Sequence, residues 1–124
     1  YMLKGVVVMG RRIGRSLGFP TANMQLYEPL KVVPKNGVYA VKVTVDGKLY
    51  IGMCNIGVRP TFGLSTERTI ETHILNFNED IYGLDIKIEF LERVRDEISF
   101  NSKEELVSQL KSDLQIVSKH LCIL

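Results

Sequence analysis

Apolar residues along this chain follow two different periods, and the change from one to the other divides it into a β part and a helical end. Leu3–Met9 is short, β-branched and closed by Gly10, which predicts a strand. From Val38 to Val45 the pattern alternates, with Tyr39, Val41, Val43 and Val45 on one face and Ala40, Lys42 and Thr44 on the other. Asp46-Gly47 follows. Both central positions of a type I′ turn need positive φ, so this pair predicts a tight hairpin and an antiparallel return over Lys48–Ile56. Asn55–Gly63, punctuated by glycine and proline, reads as a loop or a bent strand end. Glu71–Phe77 and Asp85–Val94 are further strands; in the second, Ile86, Ile88 and Phe90 alternate with Lys87, Glu89 and Leu91. Between the first two strands, Gln25–Asn36 carries Pro29, Pro34 and Asn36-Gly37 and reads as irregular connection. The period then lengthens. Leu106, Leu110, Leu114, Val117 and Leu121 recur every three or four residues behind a Ser102/Glu105 capping box, which predicts an amphipathic helix of roughly five turns. Short connections and antiparallel neighbours make the fold mainly β: a closed or nearly closed Greek-key barrel with a C-terminal helix over one face or end.

Composition narrows the class without deciding it. A chain of 124 residues fits one domain, 1–124, and 24% charged with 45% apolar residues is ordinary for a globular protein. The formal charge of +2 is too small and too dispersed to indicate a nucleic-acid partner. Arg11, Arg12 and Arg15 form one local basic cluster, suited to a small phosphate-bearing ligand or to a solvated turn. Cys54 and Cys122 are far apart and form no metal-binding or disulfide pattern, so a reducing, cytoplasmic setting is expected. No apolar run reaches the roughly 18 residues a membrane-spanning helix needs. The abrupt entry from Tyr1 into strand sequence is expected of a domain cut from a longer polypeptide.

Candidate chemistry gathers in Gly14–Asn23, GRSLGFPTAN. Thr21 and Asn23 are two apart, so an extended backbone puts the hydroxyl and the carboxamide on one side. Two neutral oxygens beside glycine-rich backbone suit a phosphate and its Mg²⁺, which takes few protein ligands. The same residues also suit a buried turn whose side chains bond to nearby backbone. Glu71 leads a row with His73, Leu75 and Phe77, and reads either as a solvated strand-end carboxylate or as a general base at the mouth of the barrel. His73 has no cluster of further ligands around it in the sequence and reads as packed or hydrogen-bonded. No GxxxxGK[ST] phosphate loop and no protein-kinase signature is present.

Six ordered segments, GRSLGFPTAN, NGVYAVKV, NIGVRPTF, ETHILNF, DIYG and RDEISFNSKEEL, together closely resemble the riboflavin kinase family, and within it the C-terminal kinase domain of bacterial bifunctional riboflavin kinase/FAD synthetases. The resemblance spans essentially the whole chain. It implies a six-stranded antiparallel barrel with a C-terminal helix, and phosphorylation of riboflavin by ATP to give FMN and ADP. It further implies that Thr21 and Asn23 bind Mg²⁺ and the nucleotide phosphates, and that Gly10 and Arg15 belong to the loop around the nucleotide. Glu71 corresponds to the catalytic base. Ile74, Asn76 and Tyr82 fall where family members contact ATP, Asn76 through its backbone if not its side chain. Arg95, Ile98 and Phe100 match the segment that closes over the flavin. An N-terminal FMN adenylyltransferase domain in the parent chain is the implied partner. The alternative is a flavin-binding barrel without phosphotransferase activity.

Overall fold

In the computed structural model, residues 1–8, 20–28, 30–60, 66–77 and 79–123 are described. Strands β1 (Met2–Val8), β2 (Ala22–Leu26), β3 (Gly37–Val45), β4 (Lys48–Pro60), β5 (Thr66–Ile74) and β6 (Asp85–Arg95) precede helix α1 (Lys103–Val117) and a 3₁₀ segment, Ser118–Ile123. All strand pairings are antiparallel and close the barrel in the order β1-β2-β5-β4-β3-β6. The predicted mainly-β barrel with a C-terminal helix is the observed fold.

Alternation builds two apolar layers from one sheet. Inward residues Leu3, Val7, Met24, Tyr39, Val41, Val43, Cys54, Ile56, Ile70, Ile74, Ile86 and Ile88 fill the barrel. Full burial of each such side chain contributes about 1.5–3 kcal/mol. Tyr39 and Phe90 meet edge to face at 5.1 Å, and Tyr50 and Phe77 do so at 4.9 Å. The second layer lies on the outer wall, where Val38, Ala40, Ile51 and Met53 pack against Leu110, Leu114, Val117 and Leu121. The helix therefore covers the side of the barrel.

Local chemistry sets the element ends. Asp46 (φ 52°) and Gly47 (φ 74°) form the predicted turn and pair Val45 with Lys48. The Ser102 Oγ accepts from the Glu105 amide at 3.2 Å, while the Glu105 carboxylate accepts from the Asn101 amide at 3.1 Å, one residue outside the ideal box.

Three boundaries differ from the sequence reading. β4 continues to Pro60 instead of ending at Ile56, because β5 pairs with it all the way to Pro60↔Thr66. β5 begins at Thr66 and stops at Ile74. Asn76 is left-handed (φ 57°), which turns the chain so that Leu75 joins the helix-side layer and Phe77 packs on the barrel interior. Ala22–Leu26 is a strand in its own right.

Candidate active site

The inner and outer faces of β2, β4 and β5 follow from their registers. Ala22 pairs with Thr72, and Cys54 with Thr72, all turned inward; Asn23, Asn55 and Glu71 are the outward residues beside them. One transverse row of partners crosses the wall: Val8 with Asn23, Asn23 with Glu71, Glu71 with Asn55, Asn55 with Val38, and Val38 with Arg95. Directly paired residues project to the same side of a sheet with their Cβ atoms about 4.5–5.5 Å apart. The sheet thus places the Asn23 carboxamide beside the Glu71 carboxylate on the outside of the barrel. This corrects the reading of Glu71 as a residue of the barrel mouth: Thr69, Glu71 and His73 alternate with the inward Ile70, Thr72 and Ile74.

Asn23 is 8% exposed, while Thr21 and Glu71 are half-buried. The His73 Nδ1 lies 2.8 Å from the Pro20 carbonyl oxygen, which ties the chain just before Thr21 to β5. His73 is hydrogen-bonded, as its sequence setting indicates. Among the described residues no three His, Cys, Asp or Glu side chains converge on a metal site. The donors available at this point are a hydroxyl, a carboxamide and one carboxylate. That set fits Mg²⁺ carried by a phosphate and does not fit zinc.

Beneath Glu71, the thiol of Cys54 is fully enclosed. Burial pushes it up to about 12; the neighbouring Thr72 hydroxyl acts against the rise, and the negative charge of Glu71 adds to it. It is an inert core residue.

The other sequence-derived positions divide between the two ends of the row. Tyr82 is 61% exposed in a turn where the Tyr82 amide donates to the Asp80 carboxylate at 3.0 Å and the Gly83 amide donates to the Val7 carbonyl at 2.9 Å. That turn therefore sits against β1, next to Val8 and the Asn23 end. Asn76 is exposed at the end of β5, and Ile74 is buried inside the barrel, so its side chain faces away from the outer row. At the far end, the Arg95 guanidinium lies 2.8–3.0 Å from the carboxylate of Asp113, a helix residue only 1% exposed, and also donates to the Asp96 carbonyl. It stands 5.8 Å over the Phe100 ring. Ile98, Ser99 and Phe100 form one wall of an open cleft of about 530 Å³, with Glu104, Glu105, Ser108, Gln109 and Ser112 of α1 opposite. Gly10 and Arg15 lie outside the described residues.

Three contributors escaped the sequence reading. Asn55 is the exposed residue between Glu71 and Val38. Glu97 lays its carboxylate against Gly57 of β4, in the space a Cβ there would occupy. Asp113 is a carboxylate on the apolar stripe of α1, three residues after Leu110 and four before Val117, and such a placement calls for a cation opposite.

Comparison with known proteins identifies the family of the chain. The family model described as "Flavokinase: Riboflavin kinase" matches residues 1–121. The bifunctional riboflavin kinase/FMN adenylyltransferase of Bacillus subtilis (strain 168) is 45% identical over 93% of this chain, which spans 37% of that protein's length. The crystal structure of riboflavin kinase from Trypanosoma brucei superposes with a TM-score of 0.63 at 31% identity, covering 97% of this chain and 78% of the other. A Streptococcus pneumoniae crystal structure described as a macrolide-efflux protein superposes with a TM-score of 0.87 at 38% identity, over 94% of this chain and 38% of the other. That last likeness is one of fold; among the described residues no helix is long and apolar enough to cross a membrane. By the match of the family model over nearly its whole length, the chain belongs to the riboflavin kinase family.

Proposed function

We propose that this chain transfers the γ-phosphoryl group of ATP to the terminal ribityl hydroxyl of riboflavin, giving FMN and ADP. The observation that carries this reading is the direct pairing of Asn23 with Glu71 on the outer wall; Thr21, half-buried, immediately precedes β2. A phosphate-binding pair and a single carboxylate then flank one point. Phosphoryl transfer asks chiefly for positioning and charge neutralisation. The ribityl oxygen forms its bond to the γ-phosphorus as the bond from that phosphorus to the β-phosphate oxygen breaks. The hydroxyl proton passes to Glu71, which must stand within about 2.6–3.2 Å of it.

Thr21 and Asn23 would hold Mg²⁺ together with the nucleotide phosphates. When bound, the ion neutralises charge on the transferring group. Tyr82 and the backbone of Ile74 and Asn76 serve the nucleotide end, and the resemblance adds Gly10 and Arg15 there. At the flavin end, Phe100 and Ile98 offer apolar cover to a flat ring. Arg95 is held by Asp113, so its contribution is to orient Phe100 as well as to meet the flavin. On this reading the chain is the kinase part of a longer polypeptide whose other part adenylylates FMN, and taken alone it stops at FMN.

Incubation with riboflavin, ATP and Mg²⁺, followed by chromatography of the flavins, tests the proposal. FMN without FAD is the expected product. Riboflavin that binds and is recovered unchanged overturns it in favour of a flavin-binding barrel.

A further inference from the structure

We propose that Asn55 is a specificity-determining residue whose carboxamide bonds to the secondary hydroxyls of the ribityl chain, so that the site selects flavins with a polyhydroxylated tail. This deepens the phosphotransfer reading and rests on it.

The argument begins with where β4 is covered. Its outward residues in sequence are Met53, Asn55 and Gly57. Met53 is buried in the helix-side layer, and Gly57 is buried under the Glu97 carboxylate. Asn55, between them, is exposed. Across the sheet its neighbours are Val38 on one side, 3% exposed, and Glu71 on the other. Asparagine is poorly suited to the middle of a strand, and the Asn55 carboxamide has no hydrogen-bond partner among the described residues. A donor and an acceptor are therefore presented together at an uncovered window in the wall.

The window lies on the line the substrate must follow. If Glu71 takes the proton of the terminal hydroxyl and the ring rests by Arg95 and Phe100, the tail leaves β5 by way of the uncovered part of β4, since Val38 of β3, the next residue in the row, lies beneath α1 and is closed to the substrate. The first strand crossed from Glu71 is β4, and Asn55 is the side chain that β4 contributes to that row. The hydroxyls closest to the reacting one pass over it. A carboxamide can donate to one hydroxyl and accept from the next.

Two ligands separate this role from a structural one: riboflavin, and lumiflavin, which carries a methyl group in place of the ribityl tail. Binding is read by flavin fluorescence, and turnover by FMN formation, for the wild type, Asn55→Ala and Asn55→Ser. Asn55→Ala is expected to raise the Kd and KM for riboflavin about threefold to tenfold, the range of one or two neutral hydrogen bonds. Its lumiflavin Kd and its KM for Mg·ATP should stay at wild-type values, and Asn55→Ser should recover part of the loss. Unchanged riboflavin affinity in Asn55→Ala overturns the proposal, as does an equal loss for riboflavin and lumiflavin. A wild-type protein that binds riboflavin but makes no FMN overturns the phosphotransfer reading separately, because the two Kd values do not depend on turnover.

Discussion

The two faces of the β4–β5 pair differ sharply in what they carry. Inward, Cys54, Ile56, Ile70, Thr72 and Ile74 are all at most 5% exposed. Outward, one residue along in each case, stand Asn55, Glu71 and His73, with polar groups and partial exposure. Backbone pairing is shared, since rungs that bury side chains inside alternate with rungs whose side chains stand outside. The inner face supplies the free energy that fixes the register, and the register fixes the distance between outer groups. Stability and chemistry in this protein are thus mechanically linked but chemically separable, and substitutions can test how far the separation goes.

The sharpest test is Glu71→Gln. It is expected to lower FMN turnover by about 10²–10⁴-fold, the usual contribution of a general base, while thermal unfolding and riboflavin binding stay near wild type. Near-full turnover would remove Glu71 from the chemistry. The converse substitution, Ile56→Ala on the inner face, should cost about 2–5 kcal/mol of stability in denaturant titration. The KM for Mg·ATP and for riboflavin should be unaltered for the molecules that remain folded. Selective loss of one substrate there would mean the faces are not separable.

Thr21→Ala is a smaller perturbation. It should weaken Mg·ATP binding by roughly tenfold, or about 1.4 kcal/mol, and leave riboflavin binding measured without nucleotide unchanged. Titration calorimetry with each ligand distinguishes the two, and equal losses would count against a phosphate-binding role.

A last test, confined to alkaline pH, concerns the thiol between the faces. Its value rises from the ordinary 9.0 to about 12 on folding. Between those values the unfolded chain releases a proton that the folded chain keeps. Its contribution is therefore full below about pH 9 and falls as pH rises toward 12. In Cys54→Ala the loss of stability over that interval should be shallower than in the wild type.

Much of this plan is legible from residue order because the signals are local. Alternation in Val38–Val45 and Asp85–Val94, the Asp46-Gly47 turn and the leucine spacing of α1 each act within a few residues, and each predicted element formed. What escaped depends on pairing between distant segments. β2 is five residues long, among glycine, proline and polar neighbours, and is held by β1 and β5. The first residues of β5, Thr66 to Arg68, carry no apolar alternation, and their strand character comes from β4. Asn55 could be paired with Val38 by counting back from the hairpin, but its place beside Glu71 depends on the β4–β5 register, which no local motif specifies. Thr21, Asn23 and Glu71 were identifiable as residue types with a shared chemistry. The pairing of Asn23 with Glu71 on the outer wall, and not at the barrel mouth, needed the register.

The ion pair between Arg95 and Asp113 has a consequence for how the molecule can be altered. Peeling α1 from the barrel would part Arg95 from Asp113 and bare an oily stripe on the wall at the same moment. The C-terminal helix therefore behaves as a keystone: fusions, tags and surface attachments belong elsewhere on the chain.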